Sequence, residues 1–196
     1  ERISWLPNGP ELKKFQYCEL PKENNSFNKK RPFRILYTGA HGESNDLENV
    51  LNAAKLLSKL PIKFILVGDG PEKKKLKEIG KDIKNVFFKD PIPKSEIPSL
   101  IEKADAILIS LKELEVFRYG ISPNKLYDAY AIGRPIISSV EGSINDEIIK
   151  YNLGVTCSGG KPKLLSEAIK KLFYLPREKR IEMSKNARLL AERFYS

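Results

Sequence analysis

Apolar runs alternate with stretches of helical periodicity along almost the whole chain. FRILYTG (33–39), KFILVGDG (63–70), NVFFK (85–89), DAILISL (105–111), PIISS (135–139) and GVTC (154–157) read as six strands. Between them lie helical patterns. DLENVLNAAKLLSKL carries Asp46 near its start, and Pro71 opens a Lys-rich helix. KSEIPSLIEKA follows, with Pro98 at a break or an early helical position, then LYDAYAIG and NDEIIKYN. Two further helices close the chain. The strands are unbroken apolar runs, as expected when both faces of a parallel sheet are covered. Strands each followed by a helix, joined by right-handed crossovers, predict a Rossmann-like, doubly wound α/β domain. Ligands in such folds bind beyond the carboxyl ends of the strands. The loops 39–45, 68–71, 89–92, 110–124 and 139–143 all follow strands, so all can line one crevice.

Residues 1–32 lack this periodicity and are expected to form an interdomain segment and linker, with the domain itself at 33–196. The closing helix ends in Arg193-Phe194-Tyr195-Ser196. Its aromatic tip either packs on this domain or meets a partner domain, which would leave apolar surface around Trp5, Phe194 and Tyr195.

A net charge of +10 allows nucleic acid, an anionic membrane surface or phosphorylated ligands as partners. The lysines fall on amphipathic helices such as PEKKKLKEIGKDI, interleaved with Glu, and read as solvated faces. Aromatic residues are not interleaved with them as a single-strand platform requires, so nucleic acid is not expected. No apolar run reaches membrane-spanning length, and no secretion signal is read before the first strand. Cys18 and Cys157 lack metal-ligand spacing, and two lone thiols point to a reducing compartment, hence a cytoplasmic protein. No metal constellation is visible in the sequence.

The most informative segment is FRYGISPNKLYDAYAIGRPII, 117–137. Ser122 suits a cap and Pro123 the first helical position, with Asn124 and Lys125 next, where backbone N–H groups lack intrahelical partners. Such a tip favours a phosphate through its dipole and its free donors. Asp128 lies one turn further along, within reach of a sugar's hydroxyls. Taken alone, the segment is either a nucleotide seat or an ordinary capped helix.

Together these segments resemble the carboxy-terminal half of a GT-B glycosyltransferase, and are most similar to the retaining transferases of family 4. ISWLPNGPELKKF resembles that family's segment at the end of the amino-terminal domain. ILYTGAHG resembles its first strand and Gly-rich loop, and ILVGDGPEKKKL its V-G-D-G-P segment. NVFFKDPIPKSEIPSLIEKADAILIS follows its next strand–helix–strand pattern. The resemblance runs from about Ile3 to Ser196. It implies a nucleotide-sugar donor, no bound metal or other cofactor, and an amino-terminal domain that carries the acceptor site. By itself this chain would bind nucleotide without turnover.

Residue by residue, the resemblance puts Asp128 on the ribose and the backbone at Asn124 and Lys125 on the diphosphate. The base would lie on the loop Lys89–Ile92, or that loop is a plain connection. Gly39, Gly42 and Gly68 shape turns beside the ligand. Two departures stand out. The family's first Glu falls on Gly120, and its first-loop Arg and Lys fall on Ala40 and Asn45. Counter-charge for the diphosphate would then come from Lys125, Arg118 or His41. His41 is expected to project from an exposed loop toward the ligand, and Arg118 lies either in the site or on the surface. The cluster VFRYGISPNKLYD resembles members that build bacterial surface polysaccharides, lipopolysaccharide among them, on lipid carriers. That implies a membrane-bound acceptor and a protein peripheral to the inner face of the membrane. Two other readings remain open: a UDP-sugar 2-epimerase-like domain, and a basic interaction module with a vestigial pocket.

Overall fold

The computed structural model describes residues 8–22, 31–115 and 121–195. Trp5, Arg118 and Gly120 lie outside them. Six strands form one parallel sheet: β1 (Phe33–Thr38), β2 (Ile62–Val67), β3 (Val86–Lys89), β4 (Ala106–Ser110), β5 (Ile136–Ser139) and β6 (Gly154–Thr156). Their spatial order is β3-β2-β1-β4-β5-β6. The order reverses between β1 and β4, which pair through Ile35↔Ala106 and Leu36↔Ile107. Loops leaving these two strands diverge there and open the crevice that the fold uses for ligands.

The connecting helices are α1 (Leu47–Leu56), α2 (Lys73–Gly80), α3 (Ile97–Glu102), α4 (Asn124–Ile132), α5 (Ser143–Lys150), α6 (Pro162–Tyr174) and α7 (Arg177–Phe194). Successive strand residues point to opposite faces, so each strand feeds two cores. Phe33, Ile35 and Tyr37 of β1 join Phe64 and Leu66 of β2 beneath α1 and α6. Leu36, Ile107 and Ile109 pack on the other face with α4 and α7. The expected Rossmann-like architecture is therefore present. Pro98 sits at the second position of α3 after a short 3-10 turn at Lys94–Glu96, where a missing N–H costs nothing.

The described part of the expected linker, residues 8–22, lies on the domain. Phe15 is 1% exposed within the second core. Three arginines bind its carbonyls. Arg188 donates to the Phe15 oxygen at 2.9 Å, and Arg177 to those of Leu20 and Pro21 at 3.2 Å each. Arg134 is wholly buried and donates to Cys18, Glu19, Ile101, Glu102 and Gly133 oxygens at 2.6–3.2 Å.

At the end of α7 the two aromatic residues part company. Phe194 is exposed, whereas Tyr195 stacks with Tyr127 at 4.7 Å between ring centroids and donates to Glu147. The bare patch expected there is thus reduced to Phe194 among the described residues. No described helix is long and apolar enough to cross a membrane.

Candidate nucleotide-sugar site

The tip of α4 meets the loop after β1. Helix α4 begins at Asn124, and Pro123 occupies the cap position in extended backbone, with no side chain capping the first turn. Two expectations change here. Pro123 precedes the helix instead of opening it. Ser122 does not cap, because its hydroxyl is hydrogen-bonded to the Tyr127 hydroxyl at 2.9 Å. The Leu126 N–H turns back to the Pro123 oxygen at 2.9 Å, so the first-turn donors left for a ligand are the Asn124 and Lys125 N–H groups. Asn8 donates to the Ser122 carbonyl at 3.1 Å and ties the approach to the helix to the start of the described chain.

Lys125 folds back from this tip over the Tyr37 ring, its ammonium 4.0 Å from the centroid. No described carboxylate pairs with it. Burial pushes it down to about 8. Gly39 makes room for it: a Cβ there would stand 3.2 Å from the Lys125 Nζ, and the φ of +136° disfavours any side chain. The Tyr37 hydroxyl donates to the Ala40 carbonyl at 2.7 Å and holds the loop around the ammonium. A partly desolvated, unpaired cation beside a free helix tip is suited to an anion.

Asp128 is half-buried on the same helix and has no hydrogen-bond partner in the described structure. Burial raises its carboxyl to about 6, with Lys94 opposing the rise and Glu11 adding to it. Lys94 lies two residues past the loop Lys89–Ile92, so the end of that loop is within electrostatic reach of Asp128. Within that loop Lys89 is exposed, and Ile92 is half-buried against the second core.

His41 differs from its expected place. It is 0% exposed, its ring 6.0 Å from Phe88 and 6.1 Å from Tyr37. Its backbone is held from both sides, by N–H to Asp69 oxygen at 2.8 Å and by Glu72 N–H to its own oxygen at 2.9 Å. The ring is therefore wedged between two loops and not presented from one. Burial, then Lys73, lowers its pKa below the usual histidine value, and neither ring nitrogen has a protein partner. Gly42 donates weakly to the Asn45 side chain at 3.4 Å, and Gly68 to the Lys89 oxygen at 3.2 Å.

Two contributors were not foreseen from the residues. Lys73 hides in the Lys-rich run as its one buried ammonium, bonded to Gly68 oxygen at 2.7 Å and Asp90 at 2.8 Å. Tyr37 reads as a core strand residue, yet its ring is the floor under Lys125. Among the described residues, no group of three or more His, Cys, Asp or Glu could hold a metal ion.

The model of the family described as glycosyl transferases group 1 matches residues 20–190, and the chain belongs to that family. It is 29% identical over 150 residues to WcaI of Escherichia coli K12, whose name assigns it to colanic acid biosynthesis as a glycosyl transferase. That match covers 72% of this chain and 36% of WcaI, so the chain spans about a third of that relative. The carboxy-terminal domain of LpcC, a group 1 glycosyl transferase from Francisella tularensis, has the same fold. Its TM-score is 0.72 at 21% identity, over 95% of this chain and 98% of that one. WaaG, a glycosyltransferase involved in lipopolysaccharide biosynthesis, gives 0.73 at 20% over 97% and 53%. Anabaena HepE, solved with UDP and glucose, gives 0.68 at 18% over 85% and 45%. The fold is that of the carboxy-terminal domain of GT-B glycosyltransferases.

Proposed function

We propose that this chain is the donor-binding half of a glycosyltransferase that moves a sugar from a UDP-sugar to an acceptor. The carrying observation is the unpaired Lys125 ammonium at an uncapped helix tip, one turn before the half-buried, unpaired Asp128. In this reading the diphosphate lies on the α4 tip, against Lys125 and the Gly39 loop. The ribose hydroxyls donate to Asp128, and the base lies on Lys89–Ile92. Lys125 and the helix dipole then stabilise the charge that builds on the departing diphosphate, and no metal takes part. An amino-terminal domain supplies the acceptor site. The names of WcaI and WaaG favour bacterial surface polysaccharide or lipopolysaccharide as the product, made on a membrane-bound acceptor at the inner face of the cell membrane. HepE's bound UDP favours uridine as the nucleoside.

Calorimetry of the chain with UDP, uridine and UDP-glucose tests the reading. Asp128→Asn removes the charge-assisted part of the ribose bonds, worth about 1–2 kcal/mol, so UDP and uridine should both weaken by about tenfold. Melting without ligand should hold or rise, because a half-buried unpaired carboxylate no longer has to be desolvated. A variant that binds UDP as wild type does removes Asp128 from the site.

Acidity gives a second check. The Asp128 carboxylate is needed for binding and takes up its proton near 6, so uridine affinity should fall as pH drops through about 6. The Lys125 ammonium loses its proton near 8, so UDP-glucose affinity should fall as pH rises through about 8. Asp128→Asn should erase the acid limb and leave the alkaline one. A flat profile from pH 5 to 9 contradicts both assignments.

A further inference from the structure

The loops after β1, β2 and β3 are cross-tied in series at the carboxyl edge of the sheet. Gly39 N–H bonds the Val67 oxygen at 3.0 Å, and His41 N–H bonds the Asp69 oxygen at 2.8 Å. The backbones approach so closely that a Cβ on Gly68 would stand 1.9 Å from the Gly39 oxygen. The third loop is different. Between Lys89 and Lys94 two of its four residues, Pro91 and Pro93, have no N–H to donate. Lys89 and Asp90 are exposed, and only Ile92 reaches the core.

One backbone bond, from Gly68 N–H to the Lys89 oxygen at 3.2 Å, ties its start, and Lys73 holds it beyond that point. Its neighbours Lys74, Lys75 and Lys77 are exposed, but Lys73 is 8% exposed and turns beneath the strand ends. Its ammonium donates to Gly68 oxygen at 2.7 Å, to the Asp90 carboxylate at 2.8 Å and, more weakly, to Lys89 oxygen at 3.4 Å. One buried cation thus joins the second loop to the third through carbonyls that no other described side chain reaches.

We infer that Lys73 is a positioning residue that fixes the base-holding loop Lys89–Ile92 and so sets how sharply the cleft discriminates between bases. The inference rests on the donor-site reading above. A base read by backbone N–H and carbonyl groups is recognised only while those groups keep their spacing, because hydrogen bonds weaken steeply with misalignment. Lys73 touches no ligand in this arrangement. It acts through Gly68, Lys89 and Asp90.

The test is titration of the chain with UDP, GDP, ADP and inorganic pyrophosphate, for wild type, Lys73→Met, Lys73→Arg and Asp90→Asn. Lys73→Met should weaken the preferred nucleotide about tenfold or more and leave the disfavoured ones and pyrophosphate within about twofold, so base discrimination collapses. Lys73→Arg, which keeps a multidonor cation, should restore most of it. Asp90→Asn alters only an exposed carboxylate and should lose a smaller part in the same pattern, which decides the matter if Lys73→Met does not fold. Wild-type discrimination in Lys73→Met and Asp90→Asn overturns the inference, as does an equal loss for every ligand, pyrophosphate included. Wild-type protein that binds none of the nucleotides overturns the donor-site reading, and the positioning role falls with it.

Discussion

Lys125→Ala should weaken UDP by about 10- to 100-fold while uridine changes by no more than about twofold. A hydrogen bond to a charged group contributes about 1.5–3 kcal/mol, and only UDP carries the anion. Lys125 is set for this role by three neighbours. Tyr37 lies under its ammonium, Gly39 leaves the space, and the uncapped first turn of α4 adds free N–H groups. No carboxylate in the described structure neutralises it, so the charge is available to a ligand. Its removal should change the melting temperature little, because the desolvation cost of a partly buried cation without an ion pair is offset by its contact with the Tyr37 ring. Lys125→Met keeps the stem over Tyr37 and should lose UDP to the same extent, which separates the charge from the packing. Equal losses for UDP and uridine would mean that Lys125 only shapes the turn, and no loss for either would place the phosphate elsewhere.

Arg134→Met should destabilise the fold by about 3–5 kcal/mol. Arg134 is fully buried and spends its donors on backbone carbonyls from three segments: the 18–19 stretch, the end of α3, and the turn after α4. Each buried acceptor left without a donor costs about 1–3 kcal/mol, and water reaches some of the five sites and lowers the sum. In a domain of this size that corresponds to a melting temperature lower by roughly 10 °C. Lys should not substitute, because one ammonium cannot span acceptors that the guanidinium fork reaches from three nitrogens. Thermal unfolding of Arg134→Met and Arg134→Lys checks both statements. Proteolysis within 8–22 should quicken in each, since the same side chain holds that stretch to the domain.

Much of this site is local in sequence, and that part was legible. Lys125 and Asp128 share one helix, three residues apart, so their common face follows from helical periodicity alone. The alternation of strands and helices behind them follows from unbroken apolar runs separated by amphipathic stretches, whereas the spatial order of the strands came from the structure. The Gly39 and Gly68 turns are visible because a glycine directly after a strand implies backbone angles or approaches that a side chain would forbid.

The rest depends on partners far apart in the chain, for which the sequence carries no local mark. His41 sits in a short polar loop and reads as exposed. It is buried because the loop at Asp69–Glu72 closes over it and Phe88 stands beside it. Ser122 has the chemistry of a cap, but Tyr127 takes its hydroxyl. Lys73 is one of four lysines on a helix read as solvated, and only the strand ends beneath it distinguish it from the others. Residues 8–22 have no periodicity and read as a linker, yet arginines from α7 and from the turn after α4 bind their carbonyls. The sequence by itself determined the order of elements, the parallel sheet and the acid and base on α4, because each rests on spacing within one element. Tertiary structure decided which polar side chains are buried and which loops are tied together. Those outcomes depend on the distances between carbonyls and cations that meet only when the sheet assembles.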